Sequence, residues 1–257
     1  GVMPPWKDTL LDDLFMKTHK ELAGGEETET AYEGGARAEQ IRQAALARLG
    51  QRYPVAWLTR QLESWPEHYL TAMPVERLVT HLEWLARLAD APALVDVQYD
   101  QALGTSDYTV YTKDSLTPGI FSKIAGVLAA KGVQILDAQI LTLADGVVVD
   151  VFRVMDPDCP EDVRDRRFRE ISGAIVGVLE QRYSVEELLQ DATRFGQASQ
   201  GVPLREATVV QIDNETFDRY TIIDVFADDR QGLLYVITRA IFDLGLSVHA
   251  ARISTRL

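Results

Sequence analysis

Apolar positions along this chain change period near residue 92. Before it they recur at helical spacing: Trp6, Leu10, Leu11, Leu14 and Phe15, then Ile41, Ala45, Leu46 and Leu49, a short run around Ala56 to Leu62, and Leu78, Leu82, Leu85 and Leu88 within Val75 to Leu88. Pro54, Pro66 and Pro74 punctuate these segments, because proline disfavours helical geometry in the residue before it. Ala23 to Ala38 is rich in Gly, Glu and Thr and poor in apolar anchors, so it reads as a linker. After Pro92 the period shortens to two: Leu94-Val95-Asp96-Val97-Gln98-Tyr99 and Tyr108-Thr109-Val110-Tyr111 alternate as strands do.

Two later stretches repeat each other. Gly119 to Thr142 aligns with Gly232 to Thr255 at constant offset, matching Gly132 with Gly245, Ala138 with Ala251 and Ile140 with Ile253. Each copy gives a strand, a loop with an acidic residue, an amphipathic helix opened by glycine, a Gly turn and a second strand. Copy one continues through Asp145-Gly146, read as a type I′ turn, into an alternating strand at Val147 to Val154. A helix over 163–179 follows, with Phe168, Ile171, Ile175 and Leu179 on its buried side. Ser184-Val185-Glu186-Glu187 has capping-box spacing, Gln197 to Gly201 reads as a polar loop, and Ala207 to Ile212 is assigned as the fourth strand of copy one. The expected fold class is α+β: an N-terminal helical segment, then tandem ferredoxin-like βαββαβ units, the second incomplete. Copy two breaks off halfway at Leu257, which with the start at Gly1 suggests a piece of a longer chain.

Charge narrows the partners. Lys plus Arg number 26 against 39 Asp plus Glu, a net charge of -13 that repels phosphate backbones and anionic lipid, so neither nucleic acid nor membrane is expected. No apolar run approaches the roughly 20 residues that span a bilayer. No secretory leader is visible at residues 1–6, and the lone Cys159 suits a reducing compartment, so a cytoplasmic location is expected. His19, His68, His81 and His249 are scattered without metal-ligand spacing, and no metal site or catalytic residue is assigned. Arg164, Arg166, Arg167 and Arg169 alternate with Asp162, Asp165 and Glu170, as on a solvated helix face, and Asp137 reads as a polar strand residue.

Chemistry concentrates where strand meets helix. Asp114, Pro118, Gly119 and Ile120 in copy one answer to Asp229, Gly232 and Leu233 in copy two, and His249 falls beside the second loop. A glycine lets a ligand approach the backbone, and free amides at a helix N-terminus hold a carboxylate. The aspartate can take an ammonium group, so the pair suits a zwitterionic amino acid. The bland alternative is a glycine serving turn geometry alone. Copy one has two more residues between its aspartate and glycine than copy two, so the loops need not be equivalent.

These loop motifs, in their βαββαβ setting, resemble the ACT family of small amino-acid-sensing domains. Asp213-Asn214-Glu215, Asp228-Asp229-Arg230-Gln231-Gly232-Leu233-Leu234-Tyr235 and His249-Ala250-Ala251-Arg252-Ile253-Ser254-Thr255 resemble the end of the bifunctional uridylyltransferase/uridylyl-removing enzymes. Thr117-Pro118-Gly119-Ile120-Phe121, Asp145 through Phe152, and Trp6 through Leu14 agree with the same family. The resemblance implies residues 1–25 as the end of an HD-type domain, 26–90 as linker and helical connector, 91–212 as a first ACT domain and 213–257 as half of a second. It implies L-glutamine as allosteric effector and the PII signalling protein as partner of the whole enzyme, with Mg2+ required by the parent and no cofactor in this part. ACT–ACT pairing within or between chains is a further expectation. The alternatives are an ACT pair that assembles without ligand, or an amino-acid sensor on another metabolic enzyme.

Overall fold

The computed structural model describes residues 29–156, 159–194, 207–216, 220–228, 232–248 and 250–252. The amphipathic helix expected over the first twenty residues, the 197–201 loop, Asp229 and His249 lie outside them. The chain divides into two units, residues 1–41 with 204–228 and residues 42–203 with 229–257.

Helix α1 (Glu29–Leu49) corrects the linker reading for residues 29–38. Glu, Ala, Arg and Gln are strong helix formers, and their sum outweighs Gly34 and Gly35, each costing about 1 kcal/mol. Three helices follow, α2 (Val55–Ser64), α3 (Glu67–Ala72) and α4 (Val75–Leu88), each starting directly after proline. The ring presets a φ near that of a helix start, where its missing N–H costs nothing. Leu58, Leu62, Leu70, Leu78, Leu82, Leu85 and Leu88 point inward.

The sheet of the larger unit has the order β1-β2-β4-β3-β7, antiparallel throughout, formed by β1 (Ala93–Asp100), β2 (Thr105–Lys113), β3 (Gln134–Gln139), β4 (Val147–Met155) and β7 (Ala250–Arg252). Helices α5 (Ile120–Ala130) and α6 (Arg164–Leu179) cover one face, and Val110, Ile124, Leu128, Phe152, Ile171 and Ile175 form the core between. The first four strands and two helices make the expected α+β, ferredoxin-like unit. One assignment changes. Residues 207–212 are not its fourth strand: β5 (Val209–Asp213) pairs with β6 (Ile222–Phe226) in a separate hairpin of the smaller unit. The edge beside β2 is filled by β1, so the repeating unit opens with its hairpin and runs ββαββα. An alternating run announces a strand but not its partner.

The other sheet face is covered as well. Tyr111 follows core residue Val110 and so points the opposite way, where its ring stacks on Trp84 of α4 at 5.8 Å and its hydroxyl meets His81 Nδ1 at 2.8 Å. Asp107, also on that side, accepts from Arg153 at 2.9 and 3.1 Å and from Arg77 of α4 at 3.5 Å.

The turn before β4 is not type I′. Gly146 has φ 79°, yet Asp145 has no positive φ, and Gly146 N–H donates to Leu143 O at 2.9 Å while Leu143 N–H donates to Val147 O at 2.7 Å. This is a type I turn closed by a left-handed glycine, the three-residue hairpin with a bulge.

The repeat has a geometric counterpart in the larger unit. Gly119 and Gly232 are 113 residues apart, and α8 (Leu233–Asp243) lies at that same offset from α5. Strand β7 pairs with β3 so that Ala138 faces Ala251, its own repeat equivalent, with Asp137 opposite Arg252 and Gln139 opposite Ala250. Helices α5 and α8 pack antiparallel: Gly119 lies at Phe242 and Gly126 at Tyr235. Stepping between those two contacts brings Ile124 level with Ile237, again an equivalent pair. A pseudo-twofold axis therefore passes between Ala138 and Ala251 and between Ile124 and Ile237.

Helix α7 (Val185–Arg194) begins with the anticipated capping box: Glu187 N–H donates to Ser184 Oγ at 3.1 Å, and Ser184 N–H donates to Glu187 Oε2 at 2.7 Å. Ser184→Ala is expected to cost about 1 kcal/mol in urea unfolding, since it strips one half of the reciprocal cap. An unchanged midpoint would show the cap to be idle.

Candidate functional site

The first loop leaves β2 through a 3₁₀ turn, Asp114–Leu116, and enters α5 at Gly119. Asp114 N–H is anchored on Gly146 O at 2.9 Å, and its carboxylate is exposed. Pro118 is exposed, Ile120 is buried, and Gly119 stands at φ 70° as N-cap without a side-chain cap, leaving first-turn amides free of one. Those amides carry the positive end of the helix dipole. The structure thus brings Asp114, Pro118, Gly119 and Ile120 into one short loop.

Three residues join them that were not among the expected site residues. Lys123, one turn into α5, donates from Nζ to the buried Thr117 Oγ1, and burial, with Arg239 of α8 nearby, lowers its pKa. Ser122 Oγ donates to Gly119 O at 2.9 Å. A hydroxyl followed six residues later by lysine at a helix start was the available signal, and it is a weak one.

The second loop is described from Gly232 onward. Gly232, at φ 79°, caps α8 as Gly119 caps α5, and Leu233 is half-buried. On the flank of α8, Tyr235 donates to Glu186 Oε1 of α7 at 2.7 Å, and Arg239 lies 3.7 Å from the same carboxylate. Burial and the neighbouring carboxylate raise the Tyr235 pKa to about 12.

Asp150 is the residue the sequence hid best. It sits opposite Val110, on the sheet face that α5 and α6 cover, only 1% exposed, and accepts Leu141 N–H at 3.3 Å. Burial raises its pKa to about 8; the Leu141 bond opposes this and the Asp114 charge adds to it. On the opposite face His81 is buried, and that burial lowers its pKa to about 3, so it is a neutral core histidine. Asp137, half-buried on β3, stands at a register shift opposite Arg153.

Among the described residues no group of His, Cys, Asp or Glu is placed to hold a metal ion. None of the described helices is long and apolar enough to cross a membrane.

No family profile matches the chain. Individual proteins do. It is 31% identical over 254 residues to the bifunctional uridylyltransferase/uridylyl-removing enzyme of Rhodospirillum rubrum, covering 97% of this chain and 26% of that enzyme. The enzymes of the same name from Azospirillum brasilense, 32% identical over 255 residues, and Gluconobacter oxydans, 30% over 256, give the same coverage. The chain spans about a quarter of the length of these relatives. Tandem glycine-opened helices on an ACT-like fold, together with likeness along 97% of the sequence, place this chain in the bifunctional uridylyltransferase/uridylyl-removing family, of which it represents a segment.

Proposed function

We propose that this segment is the glutamine-sensing regulatory part of an enzyme that attaches UMP to the PII protein and removes it again. The carrying observation is the twofold arrangement of α5 and α8, which sets two glycine-capped helix N-termini at opposite ends of one helix pair. Each end offers uncapped amides for an α-carboxylate, and Asp114 in the first loop offers a counter-charge for the ammonium group. The names of the relatives support the parent activities. Magnesium belongs to that chemistry, not to these loops.

Sensing requires that glutamine bind the two catalytic states of the parent unequally, since equal affinity shifts nothing. Calorimetric titration of the full-length protein with L-glutamine, against L-glutamate and L-asparagine, is expected to give saturable binding selective for glutamine. Thermal stabilisation of about 2.7 kcal/mol should accompany a hundredfold excess over Kd. A folded protein showing neither heat nor shift would leave the pair as an assembly surface. That second reading draws on the β3–β7 and α5–α8 pairing, which joins the repeats directly.

A further inference from the structure

The loop that leaves β2 at Asp114 is tied at its base to a helix from before the sheet. Gln61, on α2 and only 7% exposed, donates from Nε2 to Asp145 Oδ2 at 3.1 Å, across 84 residues of chain. Asp145 Oδ1 accepts Val147 N–H at 3.2 Å, and Gly146 O, in the same turn, accepts Asp114 N–H at 2.9 Å. A bond from α2 therefore reaches the first amide of the loop through a single turn. Three residues earlier on β2, Tyr111 is fully buried and held by His81 and Trp84 of α4. Between Leu88 to Pro92 and the loop residues Lys113, Ser115 and Leu116 lies an open groove of about 500 Å³, which gives the loop room to move.

We propose that Gln61 is the latch that couples the Asp114 loop to the helices preceding the sheet. When the loop shifts, the Asp145-Gly146 turn shifts with it and Gln61 loses its acceptor. The Gln61 amide is buried, so water does not readily replace the carboxylate, and α2 loosens. The step also runs backwards: displacing α2 releases the loop, because a coupling free energy acts equally in both directions. Tyr111, locked against α4, keeps the strand itself in place, so the turn is the moving part. The latch stands on these bonds; that glutamine is what drives it rests on the sensing reading above.

The test is amide exchange, read by mass spectrometry on the full-length protein over residues 55–64 and 113–120, with 147–155 as reference. Gln61→Met keeps the length of the side chain and removes the donor, and is expected to speed exchange about tenfold in 55–64 and in 113–120 while leaving 147–155 unchanged. Asp145 is exposed, so Asp145→Ala removes the acceptor without disturbing the core and should speed 55–64 to the same extent. The double variant should exchange no faster in 55–64 than either single one, as expected when both act through one bond. Unchanged exchange in 113–120 for Gln61→Met, an equal rise in all three segments, or additive effects in the double variant would overturn the latch. Saturating L-glutamine is expected to slow 55–64 and 113–120 together in wild type, but 113–120 alone in Gln61→Met. Glutamine that still slows both in Gln61→Met would overturn the latch and keep the sensor. No glutamine binding in any folded protein would remove the sensor, while the exchange cycle still decides the latch.

Discussion

Replacing Asp150 with asparagine is expected to stabilise this protein at neutral and alkaline pH and to change little near pH 4. Burial raises the carboxyl's pKa to about 8 in the folded chain, against about 3.9 when unfolded. Between those values the folded chain keeps a proton that the unfolded chain has released, so stability falls as pH rises, by at most about 1.4 kcal/mol per unit. Below about pH 4 both states are protonated and nothing is lost. Above about pH 8 the folded state carries a buried carboxylate and the loss is complete. Asparagine has the same shape, keeps an acceptor for Leu141 N–H and does not titrate. The two proteins should diverge with pH until asparagine leads by about 2 to 4 kcal/mol at pH 7. Urea unfolding from about pH 4.5 to 9 reads this directly, and parallel profiles would mean that Asp150 ionises freely in the folded state.

The second large effect is expected at Gly126. A Cβ there would collide with Val185 Cγ1 of α7 and come within 2.8 Å of Tyr235 Cδ2 of α8, so this glycine lets three helices meet. Gly126→Ala adds about 1 kcal/mol of helix propensity, yet overpacking typically costs about 1 to 3 kcal/mol, and Val185 is buried. We expect net destabilisation of about 2 kcal/mol and, since α8 is held largely by α5, faster amide exchange throughout α8. Tyr235→Ala in the same chain should recover part of the loss. Wild-type stability and protection in Gly126→Ala would show that α7 and α8 yield without cost. Across the pseudo-twofold axis Gly126 answers to Arg239, whose guanidinium reaches Asp243 and Glu186, so one copy demands a glycine where the other carries a long side chain.

Helices and strands were largely legible in the chain, down to Val75–Leu88 and the Ser184 cap, because amphipathic period and capping chemistry are local. Partnership was not. Residues 209–213 look like a strand in any setting, and only the pairing with 222–226 shows to which hairpin they belong. Asp145-Gly146 invites a type I′ turn, but an aspartate keeps φ negative at no cost when the next glycine alone supplies the left-handed step. Both glycine loops were read from sequence, whereas Phe242 at Gly119 was not, because the contact joins residues from different copies. Asp150 was concealed in Val147-Val148-Val149-Asp150-Val151-Phe152. The signal was there: Val148 and Phe152 fix the inward face, and an acid two residues from each must share it.

The axis between Ala138 and Ala251 carries a consequence for how such a pair can diverge. Two identical chains meeting about a true dyad must keep both ends alike, since any substitution appears at each. Once the copies are joined in one polypeptide that obligation ends, and phenylalanine can stand at one end with alanine at the other, or glycine opposite arginine. Tandem duplication thereby separates two tasks that a homodimer must combine, letting one end drift toward mechanical support while the other stays free to respond.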